Sequence, residues 1–197
     1  MGVMQKLKPR QLDIMQNLAK MLESKGPVKI TTSSLAKNCG ITEAAIYRHF
    51  PSKRKIYEGL VDFCEQNLFD LIGNINSSQD TPLQKVTKIL VVLTTFCEKN
   101  PGLARLLTRE AFSPDEAKLD ERIKLMFSKI ELQIKQLLQR YEQETKKKLL
   151  LPTASSSNLL LAFSEGVIQH FVRSGFEEKP SKRFLDQVNF LVKSLER

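Results

Sequence analysis

The chain has 197 residues, 41% of them hydrophobic, no tryptophan, three cysteines, and 31 Lys/Arg against 22 Asp/Glu, a net charge of +9. A chain of this length buries roughly 70% of its unfolded surface without a metal or disulfide staple. Its longest apolar runs, Ile89 to Leu93 and Leu159 to Phe163, are far too short to span a membrane. The N-terminus lacks the apolar stretch of a signal peptide, and Cys39, Cys64 and Cys97 are odd in number and sit in apolar helical patterns. The expectation is therefore an unexported protein of a reducing cytoplasm, with no disulfide, metal site or cofactor.

In chain order the elements read as helices. Ile14, Leu18, Met21 and Leu22 recur at helical spacing, which predicts an amphipathic helix over 10–24 that stops before Gly26-Pro27. Thr31 or Thr32 caps a short second helix through Leu35, Ala36 and Lys37, ended by Gly40. Thr42 caps a third that reaches Phe50; Pro51 and Ser52 close it and cap a fourth, from Lys53 to about Ile72. Gly73 to Pro82, rich in Asn, Ser and Asp, reads as a loop. Further helices are predicted over about 82–98, 101–111, 115–145, 153–174 and 181–195, with Asn100-Pro101 and Ser113-Pro114 as start signals. No segment shows sustained strand alternation, so the fold class is all-α.

The charge is unevenly placed. Residues 1–57 hold eleven Lys/Arg against three Asp/Glu, whereas residues 58–197 hold twenty against nineteen. A localised excess of this kind is the electrostatic footprint of nucleic-acid binding, or else a solubilising basic end.

Residues 32–51 meet the steric demands of a helix-turn-helix. Two tightly crossing helices need a small residue on the first, a glycine in the turn and an apolar residue midway along the second. Ala36, Gly40 and Ile46 fill those places, with Leu35 and Ile41 packing on either side. The helical period then exposes Thr42, Glu43 and Ala44 at the start of the third helix and Tyr47 and Arg48 one turn later, the positions that face the major groove of duplex DNA. Thr31, Thr32 and Ser33 at the start of the second helix, Lys53 at the start of the fourth, and His49 are placed for phosphate contacts. An ordinary helical hairpin is the bland alternative.

The later helices suggest self-association. In the 115–145 segment Ile123, Phe127, Ile130, Ile134, Leu137 and Tyr141 recur at spacings of four and three, and the next segment, "NLLLAFSEGVIQHFVRSG", mixes large apolar residues with Ala162, Ser164 and Gly166. This predicts a homodimer built as a four-helix bundle, with Ile130, Ile134, Phe163 and Val167 at the dimer interface; burial within one chain is the alternative. His49 and His170 have no partners at triad or ligand spacing. His170 belongs in the bundle core or interface, Glu165 is a candidate cavity residue, and Glu142 and Glu144 beside Lys146 to Lys148 form a solvated helix end. Nothing in the sequence points to an enzyme.

The run Tyr47-Arg48-His49-Phe50-Pro51-Ser52-Lys53 resembles the end of the recognition helix and the start of the next helix in TetR-family regulators. That resemblance implies an N-terminal three-helix DNA-binding head, residues 1–56, and a helical dimerisation and partner- or ligand-binding body, residues 57–197. Within the family, "ITTSSLAKNCGITEAAIYRHFPSK", "EKNPGLARLLT" and "AFSEGVIQHFVRSGF" are similar to the nucleoid occlusion branch of gammaproteobacteria. This similarity implies a homodimer on palindromic double-stranded DNA that, once bound, antagonises the division protein FtsZ at the nucleoid. It also implies a partner surface at Phe63, Val92, Lys99 and Asn100, rimmed by Glu65, Gln66 and the turn Glu98 to Gly102. At two positions of that surface the chain departs from the branch: Leu71 stands where an arginine is usual, and Thr95 where a glycine is. A conventional ligand-responsive TetR repressor and a helical adaptor for another acidic partner are the competing readings.

Overall fold

A computed structural model of the chain describes residues 7–24, 30–111 and 117–196. Its elements are α1 (Pro9–Met21), α2 (Thr32–Asn38), α3 (Glu43–His49), α4 (Lys53–Asn76), α5 (Pro82–Lys99), α6 (Pro101–Leu107), α7 (Ala117–Thr145), α8 (Thr153–Arg173), a 3-10 turn (Pro180–Lys182) and α9 (Phe184–Ser194). Among the described residues the only strand-like feature is an isolated bridge between Leu149 and Glu196. The fold is all-α, as the periodicity predicts.

The helices form two compact units. One comprises Met1–Asn67 with Asn100–Ile123, and the other Leu68–Lys99 with Lys124–Arg197. These packing units differ from the segments 1–56 and 57–197, because α6 packs on α1 and the start of α4 shares that core.

In the first unit Ile14, Leu18, Leu22, Leu35, Ile46, Ile56, Tyr57 and Leu60 are buried together with Leu103, Ala104 and Leu106 of α6. Gly102 is required by close approach: a Cβ there would lie 2.0 Å from the carbonyl oxygen of Ala19. Arg105 is buried and donates from Nη1 to the carbonyls of Leu22 (2.8 Å) and Ser24 (2.5 Å), two acceptors left over at the end of α1. The last turn of α1 carries the chain to Ser24; Gly26-Pro27 lies outside the described residues.

In the second unit α5 packs against α8 and α9, and α8 against α9. Within this unit Ile130, Ile134, Leu137 and Tyr141 of the α7 stripe are buried, and Phe127 is partly exposed. Ile130 and Ile134 are completely buried within the single chain, as are Met126 and Leu138, so they offer no surface to a second copy. The burial alternative holds for these two interface positions, because the apolar row of α7 faces this unit's own core.

Three boundaries shift for local reasons. Helix α4 runs past Ile72 through Gly73 to Asn76, where the buried Lys85 places its ammonium on the Asn76 carbonyl (2.7 Å) and satisfies the helix end. Helix α6 stops at Leu107 rather than 111, since Arg109 adopts a left-handed φ of 66°. The last predicted helix is preceded by the 3-10 turn, which Glu98 holds through the backbone N–H and hydroxyl of Ser181, both at 2.7 Å. The start signal at Ser113-Pro114 lies outside the described residues.

Candidate nucleic-acid interface and partner surfaces

The turn between α2 and α3 is closed by backbone chemistry. Gly40, at φ 65°, donates to the carbonyl of Lys37 (3.2 Å), and Ile41 donates to that of Ala36 (3.0 Å), the paired bonds of a Schellman ending. Thr31 is the cap of α2: its hydroxyl accepts from the Ser34 N–H (3.1 Å), while Ser34 Oγ accepts from the Thr31 N–H (3.0 Å). Thr42 caps α3 by accepting from the Ala45 N–H (3.2 Å), and Ser52 caps α4 by accepting from the Lys55 N–H (3.3 Å).

With Ile46 fully buried, the other side of α3 is presented outward. Thr42, Glu43, Ala44, Tyr47 and Arg48 are all exposed, Tyr47 by half its surface. The Tyr47 hydroxyl lies 3.4 Å from Thr32 Oγ1, which ties the middle of α3 to the start of α2 and links Tyr47 to the predicted phosphate-facing set. Thr31 and Ser33 are exposed; Thr32, His49 and Lys53 are half-buried. Gln11 of α1 donates from Nε2 to the His49 carbonyl (3.0 Å), fixing the end of α3. Lys53 Nζ sits 5.3 Å from the centre of the buried Tyr57 ring, a cation–π contact that holds the ammonium at the first turn of α4. Nearby, Arg54 (3.2 Å) and Lys55 (2.5 Å) pair with Glu58, and the Lys55 hydrogen bond holds the Glu58 carboxyl below its ordinary range. All ten predicted DNA-facing residues are thus on one compact unit.

The partner-surface residues divide between the units. Phe63 and Asn100 line one open, largely apolar groove of about 370 Å³ in the first unit, floored by Met15, Leu60 and Leu103 and edged by Lys20 and Glu23. Val92, Lys99, Leu71 and Thr95 belong to the second unit, with Lys99 and Leu71 exposed and Val92 and Thr95 partly so. Several rim residues serve the fold itself. Glu98 is held by Ser181, Gly102 lies against α1, and Glu65 joins Asp62 in pairing with Arg122.

On α8, Phe163 and Val167 are partly exposed, and Phe163 stacks on Phe184 of α9 at a centroid distance of 5.7 Å and an interplanar angle of 9°. They edge a groove of about 320 Å³ together with Gly166, Arg183 and Gln187. His170 and Glu165 are exposed, outside any core; the imidazole Nδ1 lies 3.4 Å from Arg173 Nη2. Large apolar side chains that sequence reasoning left unassigned are exposed on the same two helices: Phe190 by 70%, Leu185 by 52% and Leu159 by 43%. The signal lay in α9, where Phe184, Leu185, Val188, Phe190, Leu191 and Val192 occupy more of the helix circumference than one buried face needs.

No helix of the described residues is long and apolar enough to cross a membrane. Residues 14–60 match the model of bacterial regulatory proteins of the tetR family, and residues 80–196 match the SlmA-like tetracyclin repressor-like C-terminal domain. The chain is 41% identical over 186 residues to the nucleoid occlusion factor SlmA of Shewanella pealeana, and 39% identical over 186 residues to that of Marinomonas sp. strain MWYL1; each alignment covers 94% of both chains. The solved structure of the fatty acid degradation regulator FadR from Bacillus halodurans superimposes with a TM-score of 0.76 at 16% identity, covering 98% of this chain and 100% of that one, a likeness of fold alone. With its helix-turn-helix unit, its helical C-terminal part and near-full-length relatives of one kind, the chain belongs to the TetR family, in its SlmA-like branch.

Proposed function

We propose that this protein is a nucleoid occlusion factor, a homodimer that binds palindromic duplex DNA and, in that state, inhibits FtsZ-dependent septum formation over the chromosome. The observation that carries the reading is the 39–41% identity, over 94% of both chains, to relatives bearing that name. The helix-turn-helix supports its DNA half. Thr42, Glu43, Ala44, Tyr47 and Arg48 contact base edges and neighbouring sugars in the major groove, and Thr31, Thr32, Ser33, His49 and Lys53 hold phosphates.

Two-fold DNA sites call for a two-fold protein. We assign the dimer face to α8 and α9, with Phe163 and Val167 in it and Ile130 and Ile134 behind it. A glycine inside a helix costs about 1 kcal/mol relative to alanine, yet beyond its own helix backbone and chain neighbours no atom of the described residues lies within 4 Å of where a Cβ at Gly166 would stand. The notch suits the approach of a second copy, and Phe190 on the neighbouring helix is the large exposed side chain to fill it.

For the partner we assign Phe63 and Asn100 in their groove on the first unit and, on the second, Val92 as an apolar anchor and Lys99 pairing with acidic residues of an extended FtsZ tail. DNA binding raises the effective concentration of these sites by clustering dimers, without any new bond.

The test is sedimentation of FtsZ polymers with and without this protein and duplexes selected from the host chromosome. The expected result is DNA-dependent loss of polymer, abolished by Lys99→Asp at unchanged duplex affinity. If the DNA-saturated wild type neither binds FtsZ nor alters its polymers, the substitutions at Leu71 and Thr95 have removed the activity, and a ligand-responsive repressor of the same family is the better reading.

A further inference from the structure

The seven residues of α3 are too few to hold a helix by backbone bonds alone, since isolated helices shorter than about 12–15 residues are marginal in water. Its anchorage in the core is also thin. Ile46 is its one fully buried side chain, and a single anchor leaves a short helix free to swivel about that point. The far end is chemically open as well. Pro51 has no N–H and Phe50 already turns extended at φ −135°, so the last carbonyls of α3 need donors from outside the helix.

Gln11 of α1 supplies one. Its half-buried amide spans two helix ends: Nε2 donates to the His49 carbonyl (3.0 Å), and Oε1 accepts from the Lys8 N–H (3.0 Å) just ahead of α1. The two partners fix the amide's orientation, because a carbonyl only accepts and an N–H only donates. Other side chains of this length do half the task. A carboxylate would cap α1 but turn a lone pair on the His49 carbonyl; an ammonium would serve that carbonyl but not the Lys8 N–H. Together with the Tyr47 hydroxyl beside Thr32 Oγ1 (3.4 Å), Gln11 ties α3 to two different helices around its Ile46 anchor.

From this geometry we propose that Gln11 is a positioning residue for sequence readout, acting through α3 rather than through a DNA contact of its own. It sets the angle at which Thr42, Tyr47 and Arg48 are presented. The inference rests on α3 being the reading helix, as proposed above, and extends that face to a residue on α1. Side chains that read a target must be held within about 0.5 Å of their productive geometry. Without the tie α3 swivels, which costs selected sites more than random ones, because phosphate contacts carry no sequence information and base-edge contacts do.

The experiment compares the full chain and its variants by fluorescence anisotropy on a selected palindromic duplex and a random duplex of equal length. Salt is held constant, at a temperature where circular dichroism shows every variant folded. Gln11→Met keeps the bulk and removes both hydrogen bonds. Its selected-over-random affinity ratio should fall about tenfold, the scale of one misplaced base contact, with random-duplex affinity within about twofold of the wild type. Gln11→Lys keeps only the donor to His49 and should restore most of the ratio, whereas Gln11→Glu keeps only the acceptor for Lys8 and should not. The added charges shift affinity for both duplexes alike, so the ratio is insensitive to them. A merely structural role would lower thermal midpoints and leave the ratio unmoved. The proposal is overturned if Gln11→Met discriminates as well as the wild type, or if Gln11→Glu preserves the ratio and Gln11→Lys loses it, which would assign the amide to the α1 end alone. A wild type without preference overturns the reading by α3, and this inference with it.

Discussion

Arg105 of α6 and Leu22 at the end of α1 are joined by a buried, charge-assisted hydrogen bond of 2.8 Å, and the same guanidinium nitrogen reaches the carbonyl of Ser24. Two helices 83 residues apart in sequence are fastened where one of them has run out of internal partners. Three residues before Arg105, Gly102 brings the α6 backbone against Ala19. Arg105→Met keeps the bulk but leaves both carbonyls unpaired, and should destabilise the fold by about 2–3 kcal/mol in urea titrations. Gly102→Ala, whose Cβ meets backbone rather than a flexible side chain, should cost a further 1–3 kcal/mol by roughly the overpacking scale. A midpoint unchanged in both variants would mean that this junction contributes nothing.

The DNA-facing residues should separate by role. Lys53→Ala removes the cation–π contact with Tyr57 and the proposed phosphate contact; it should weaken all duplexes alike and lower the slope of log affinity against log salt by about 1. Tyr47→Ala removes an exposed ring of the proposed reading face and its link to Thr32, so discrimination between selected and random duplexes should fall with affinity. Fluorescence anisotropy across a salt series measures both. Equal affinity of the wild type for selected and random duplexes would refute sequence-specific reading by α3.

Gly166 gives a clean test of the dimer face. Open space surrounds a Cβ there, so Gly166→Leu should leave the thermal midpoint of the monomer fold unchanged or raised. In the dimer it would fill the proposed notch and produce monomers in analytical ultracentrifugation at micromolar concentration. Phe190→Ser should act in the same direction, and both should abolish tight binding to a full palindrome while sparing its half-site. Dimers of undiminished affinity in both variants would move the interface elsewhere.

Thiol chemistry should follow burial. The Cys97 pKa is pushed up to about 12 by burial, and that of Cys39 is raised by burial first and by Asp13 second. Since only the thiolate attacks disulfide reagents, raised values mean a slower reaction at any pH below them. At pH 8 the native protein should expose no more than Cys39 to such a reagent, and slowly, with Cys97 and the buried Cys64 reacting only after unfolding. Rapid reaction of all three in the native state would contradict the packing around α5.

The sequence by itself determined the periodic and local features. Ile14 and Leu18, the Thr42 cap, the Gly40 turn and the buried Ile46 were all legible, because a cap, a left-handed turn and an apolar row each depend on residues within one or two turns of the chain. That is also why the outward set on α3 could be named: fixing Ile46 inward leaves Tyr47 and Arg48 no other direction. Tertiary structure alone decided which apolar surface was left over. Ile134 and Phe190 are equally apolar in sequence, yet one is sealed by neighbouring helices and the other stands 70% exposed, a difference set by contacts far apart along the chain. The same holds for Glu98, which the sequence places on the rim of a partner surface and the fold commits to Ser181. Periodicity tells a residue that it needs cover; only the packed neighbours decide whether this chain supplies it.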